Sequence, residues 1–143
     1  MEKGEINFFS ENDFVLNREQ DYRNWIEKAI ESENKYIGDI SFIFCDDEYL
    51  HKINLEYLAH DTYTDIISFD NTLGNTLQGD IYISTERVQE NANSFNTEFD
   101  EELKRVLIHG ILHFCGFKDK TEREQELMRR KEEEKIALFH VEQ

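Results

Sequence analysis

The sequence predicts a single mixed α/β (α+β) domain: a four-stranded mixed sheet with covering helices. Three observations predict it. Strand-like and helix-periodic runs follow one another in the order β-α-β-α-β-β-α-α-α. A tight turn joins the third and fourth strands, so those two pair antiparallel, whereas helical crossovers favour parallel neighbours. The 143 residues hold no Pro, no Gly/Ser-rich linker and no internal repeat, so residues 1–143 read as one domain around one core. The pattern leaves the strand order open.

Taken in order, INFFS (6–10) reads as the first strand. Asn17 then starts a helix, with Gln20 completing a capping box, and Tyr22, Trp25, Ile26, Ala29 and Ile30 recur at helical spacing toward the core. Gly38 precedes the second strand, DISFIFC. Asp46 caps a helix whose apolar face is Tyr49, Leu50, Ile53 and Tyr57. TDIISFD (64–70) is nearly continuous in apolar residues, the mark of a central strand, and GDIYIS (79–84) follows the turn NTLGN. Ser84 caps a helix to about Ser94 with Val88 and Ala92 inward. Phe99, Leu103, Val106, Leu107 and Ile111 form the buried stripe of the next helix. Thr121 and Glu124 make a capping box for a final charged helix bearing Leu127, Met128 and Ile136.

Composition narrows the function. No apolar run is long enough to span a bilayer, and the N-terminal MEKGEINFFSENDF lacks the apolar stretch of a secretory signal. Cys45 and Cys115 lie far apart in apolar surroundings and read as buried free thiols of a cytoplasmic protein. A net charge of −16 repels a phosphate backbone at long range, so any nucleic-acid contact must rest on a local patch. Lys118, Lys120 and Arg123 offer one, and a solvated surface offsetting the neighbouring acids is the plainer alternative.

The chemistry concentrates in HGILHFCGFKD (109–119). His109 and His113 stand one helical turn apart, with Cβ atoms roughly 5–6 Å from each other. Gly116 is placed to end that helix in a left-handed conformation, letting Asp119 return toward the imidazoles. Two His and one carboxylate form a three-ligand metal set with a position left open for water, and zinc, one ion per chain, is the expected occupant. Gly110 leaves that position unobstructed or serves close packing. Cys115 lies roughly 200° around the helix from His113 and is rejected as a ligand. The alternative without metal is a chance pair of His, one of them favouring the helix dipole. His51 and His140 read as surface residues, whereas His60 sits on the loop entering the third strand, within reach of a cleft. Asp65 and Asp80, near strand ends, read as turn or cap residues more readily than as groups that orient water. A zinc protease of the His-Glu-x-x-His class is disfavoured, because Gly110 stands where its general base would be.

HGILHFCGFKD resembles the YbeY-family signature His-Gly-x-Leu-His-x-x-Gly-Tyr-Asp-His. TYTDIISFD resembles that family's Thr-Asp-Val-Leu-Ser-Phe strand, and GDIYIS its Gly-Asp-Ile-x-Ile-Ser strand. The segments occur in the family's order, and its single domain would cover essentially the whole chain. The resemblance implies a bacterial cytoplasmic metal-dependent endoribonuclease, specific for single-stranded RNA, acting in small-subunit (16S) rRNA maturation and ribosome quality control. Its partners would be rRNA precursor and small-subunit ribosomal components. The implied site is His109, His113 and Asp119 on zinc, with His109 also the catalytic position; from charge and loop position, Lys118, Lys120, Arg123 and His60 are the expected RNA contacts. Two positions depart from the family pattern. Asp119 replaces the third His, and Leu58 in NLEYL replaces the Arg of Asn-x-x-Tyr-Arg. Two rival readings stay open at this point: a non-catalytic ribosome-assembly factor with a structural metal, and a hydrolase of another substrate.

Overall fold

A computed structural model describes residues 3–139, and within them the elements follow the order read from the pattern. They are β1 (Ile6–Ser10), α1 (Glu19–Ser32), β2 (Tyr36–Cys45), α2 (Asp47–Leu58), β3 (Ile66–Asp70), β4 (Thr76–Ser84), α3 (Thr85–Ser94), α4 (Phe99–Phe114) and α5 (Glu122–Ile136). The sheet runs β1-β2-β4-β3. Its first two pairings are parallel, and the β3–β4 hairpin is antiparallel. No helix among the described residues is long and apolar enough to cross a membrane.

One expectation is overturned here, and it matters for the site. β3 is an edge strand, not a central one. Its apolar run arises because both of its faces are covered. Ile66 faces the main core, while Ile67 packs with Cys45 and Leu50 in a smaller cluster beneath α2. Double coverage, not a central place in the ladder, removes the polar alternation.

The main core lies between the other face of the sheet and the remaining helices. Phe42, Phe44, Leu77, Ile81 and Ile83 from the strands meet Trp25, Ile26, Val88, Leu103, Leu107 and Ile111. Burying a side chain of this size contributes about 1.5–3 kcal/mol. Capping fixes where the helices begin: Asp46 accepts from the Tyr49 N–H, Ser84 from the Arg87 N–H, and Thr121 with Glu124 forms a reciprocal capping box.

Other local expectations shift. α1 starts after Arg18, which adopts φ +61° with no side-chain cap; Gln20 is engaged by Arg23 and Asn24 instead. β2 begins at Tyr36, so Gly38 lies within it, beside an irregularity between Ile37 and Ile40. On α2, Leu50 and Asn54 are buried while Tyr49 and Tyr57 are exposed over Phe69 and Tyr82. On α5 the buried stripe is Met128, Glu132 and Lys135, with Leu127 exposed. Lys135 is neutralised by Glu33 and Glu134, and its carbonyl accepts from Trp25 Nε1 at 2.6 Å, which ties α5 to α1.

Candidate metal centre

α4 packs its stripe on the sheet and carries His109 and His113 at its C-terminal end. Gly110 is what lets the helix lie so close. A Cβ there would come within 3.0 Å of Ile81 Cδ1 and 3.1 Å of Ile66 Cδ1. The glycine therefore serves contact with the sheet and brings β3 against the turn that holds His109. The helix then ends in a Schellman motif: Gly116 adopts φ +103°, its N–H donates to His113 O, and the Phe117 N–H donates to Leu112 O. The reversal returns Asp119 over the end of the helix.

Three side-chain atoms converge as a result. His109 Nε2 lies 3.0 Å from His113 Nε2 and 3.2 Å from Asp119 Oδ2, and His113 Nε2 is 3.3 Å from the same oxygen. His109, His113 and Asp119 form a group that can hold one metal ion. The hydrogen-bond chemistry fits a cation. His109 Nδ1 donates to Glu132 Oε2 at 2.6 Å, so the proton of the neutral ring is held on that side and the Nε2 lone pair faces inward. A second imidazole nitrogen and a carboxylate oxygen face the same point, where a positive ion satisfies all three at once.

Glu132 is the residue that sequence reasoning missed. It reaches His109 from the buried stripe of α5, is 7% exposed, and is held in turn by Arg105 Nη1 at 3.0 Å. The spacing from the apolar Met128, one turn earlier, puts Glu132 on the inward side of α5, but nothing in the sequence links it to His109. Burial pushes the His109 imidazole down, but Glu132, with Asp119 and Asp65 behind it, outweighs burial and leaves it above its ordinary value.

The three groups open into a cleft of about 440 Å³ between α2, the loop after it, β3 and α4. Its walls include Asn54, Leu58, His60, Thr62, Thr64 and Asp65, as well as the edge of β3. Buried Asn54 positions the loop: its side-chain amide donates to Thr62 O at 2.8 Å, and its backbone carbonyl accepts from the His60 N–H. Asp65 accepts from Asn91 Nδ2, and burial raises its carboxyl above the usual range. Asp65 thus faces the cleft, whereas Asp80 sits inside β4 opposite Phe69.

Of the proposed RNA contacts, His60 lines the cleft, while Lys118, Lys120 and Arg123 are exposed around the Asp119 loop, outside its walls. Leu58 also lines it, and no Lys or Arg among the described residues does. Cys115 lies outside the three-residue group, half-buried rather than buried, with its thiol pushed up to about 11 by burial; Cys45 is fully buried. His51 is not a plain surface residue, since it pairs with Asp61 and stacks on Tyr63. His140 lies outside the described residues.

The model of the family described as Endoribonuclease YbeY matches residues 6–140. A protein named Endoribonuclease YbeY from Flavobacterium johnsoniae is 63% identical, over 96% of this chain and 99% of its own length. A relative of the same name from Karelsulcia muelleri is 46% identical, over 95% of each chain. The solution structure of TM1509 from Thermotoga maritima superposes with a TM-score of 0.66 at 25% identity, covering 94% of this chain and 88% of that one. With His109, His113 and Asp119 gathered at the end of α4 on this fold, and with the family model spanning nearly its whole length, the chain belongs to the YbeY endoribonuclease family.

Proposed function

We propose that residues 1–143 form one metal-dependent hydrolase domain, a zinc-dependent endoribonuclease that cuts single-stranded RNA. Its role would be in cytoplasmic maturation of small-subunit (16S) rRNA precursors, in contact with small-subunit ribosomal components. The observation that carries the reading is the triangle of donor atoms, 3.0–3.3 Å on a side. Ligands about 2.0–2.2 Å from a tetrahedral zinc lie roughly 3.3–3.5 Å apart, so the triangle needs only slight expansion to take the ion. The site opens to the cleft, with His113 and Asp119 side chains 33% and 39% exposed, which leaves room for water and substrate. A bound zinc supplies Lewis acidity to water and to a phosphoryl oxygen.

The protein's own groups do the rest. Glu132 fixes the tautomer of His109, the residue on which both ligation and activity depend. Asp119 contributes a negative charge where the family has a neutral His, making the ion less acidic. Lys118, Lys120 and Arg123, outside the cleft, hold flanking phosphates without reading bases, and His60 adds a polar group to its wall. Leu58 in the wall favours a second reading, a non-catalytic assembly factor with a structural metal.

Cleavage assays distinguish the two. The zinc-loaded protein is expected to cut single-stranded RNA in preference to duplex, and a folded His109→Ala variant to lose that activity. Intact RNA with zinc-loaded parent protein supports the assembly factor instead.

A further inference from the structure

The edge of β3 supplies a site that the metal reading does not use. The two ends of the hairpin fix which way its backbone faces: Ser84 N–H donates to Asp65 O at 2.9 Å, and Asn71 N–H donates to Gln78 O at 2.9 Å. In an antiparallel ladder, directly opposed residues alternate between exchanging both hydrogen bonds and exchanging none. Between those ends, Ile67 opposite Tyr82 and Phe69 opposite Asp80 therefore bond to β4. Ile66 and Ser68 turn their N–H and C=O groups the other way, off the edge of the sheet. The Ile66 carbonyl is met by Thr64 Oγ1 at 3.4 Å. The Ile66 N–H and both backbone groups of Ser68 remain, and Ile66 and Ser68 line the same cleft as His109, His113 and Asp119.

We infer that this edge holds one unpaired nucleobase next to the phosphate being cut, through the backbone N–H of Ile66 and the N–H and C=O of Ser68. The inference rests on the single-strand ribonuclease reading and says what selects the single strand. Charge favours a base over a phosphate here. Away from the three metal-binding residues, the walls hold Asp65 and, among the described residues, no Lys or Arg, in a chain of net charge −16, so beside β3 a neutral ring is not repelled where a phosphate is. Length favours a base over a peptide. Strand addition by a peptide needs a ladder of bonds, whereas within the cleft, whose walls include Ile66 and Ser68 but not Asp70, three backbone groups match the donors and acceptors on the edge of one splayed base. A cleft of about 440 Å³ is also in the range of small-ligand pockets, roughly 300–1,000 Å³. In a duplex that base edge is already paired, so the strand β3 accepts is the one that is unpaired.

Residue-resolved amide hydrogen exchange on the zinc-loaded protein tests this without any substitution. The probe is a short 2′-O-methyl phosphorothioate oligonucleotide that resists cleavage. The Ile66 and Ser68 amides are expected to exchange fast in the free protein and about tenfold or more slowly once it binds, while Ile67 and Phe69 are slow throughout. The same strand presented as a duplex leaves Ile66 and Ser68 fast. As a second arm, Ser68→Pro removes an N–H that faces away from the ladder, a change that edge strands tolerate, and Ser68→Ala keeps it. Affinity for the probe should fall about tenfold in Ser68→Pro and hold in Ser68→Ala, at equal zinc content. Binding that shifts His109 and His113 signals while Ile66 and Ser68 exchange as before overturns the inference and leaves the nuclease reading standing. A probe that binds nowhere overturns both.

Discussion

Replacing Glu132 tests the centre through a residue that touches no substrate. Glu132 is 7% exposed, and its carboxylate accepts from His109 Nδ1 at 2.6 Å and from Arg105 Nη1 at 3.0 Å. The first bond holds the His109 tautomer with its Nε2 lone pair toward His113 and Asp119. In Glu132→Ala the ring is free to place its proton on either nitrogen, and the ligand loses both orientation and basicity. Losing an orienting partner of this kind costs about 10–100-fold in metal affinity, or roughly 1.4–2.7 kcal/mol. Glu132→Gln keeps an oxygen that can accept from Nδ1 but gives up the charge, so its loss should sit near the lower end, about tenfold. Competition against a chromophoric zinc chelator at neutral pH measures both, with circular dichroism to establish that each variant is folded. Zinc affinity in folded Glu132→Ala equal to that of the parent would refute the reasoning, because the Nδ1 contact would then play no part in ligation.

Three further outcomes follow from the same geometry. Gly110→Ala places a methyl within 3.1 Å of Ile81 and Ile66, so urea unfolding should show a loss of about 1–3 kcal/mol; an unchanged midpoint contradicts the packing role. Burial raises the Asp65 carboxyl in the folded state, so its favourable contribution is complete below its unfolded pKa of about 3.9 and is lost as pH rises through the folded value. Metal-stripped Asp65→Asn should therefore melt above the parent at neutral pH, with the gap closing toward about pH 4 in thermal scans; a gap independent of pH contradicts it. Asp119→His restores the family ligand and removes a negative charge beside the ion, so at equal zinc occupancy RNA cleavage should be retained or rise. Activity that collapses with zinc still bound would assign the carboxylate a catalytic task.

The legible parts of this molecule were those governed by local rules. Caps at Asp46, Ser84 and Thr121, the stop at Gly116 and the stripe on α4 each depend on residues within a turn or two of one another. The approach of Asp119 to the His pair was legible for the same reason, since all three lie within eleven residues. What the chain hides is long-range. The edge position of β3 depends on β4 pairing with β2, and a strand covered on both faces by helices looks central wherever it lies. Tyr49 and Tyr57 have the helical spacing of core residues, yet among the described elements only α2 covers that part of the sheet, and it leaves them on its rim. Glu132 stands in a run of three glutamates, and only the docking of α5 selects the one that meets His109.

The central claim is that His109, His113 and Asp119 hold a metal ion, and elemental analysis of chelator-free protein after zinc-supplemented expression tests it most directly. About one equivalent of zinc per chain is expected in the parent, and its loss in a folded His109→Ala variant. Less than about half an equivalent of any transition metal in the parent, or undiminished zinc in His109→Ala, would contradict it.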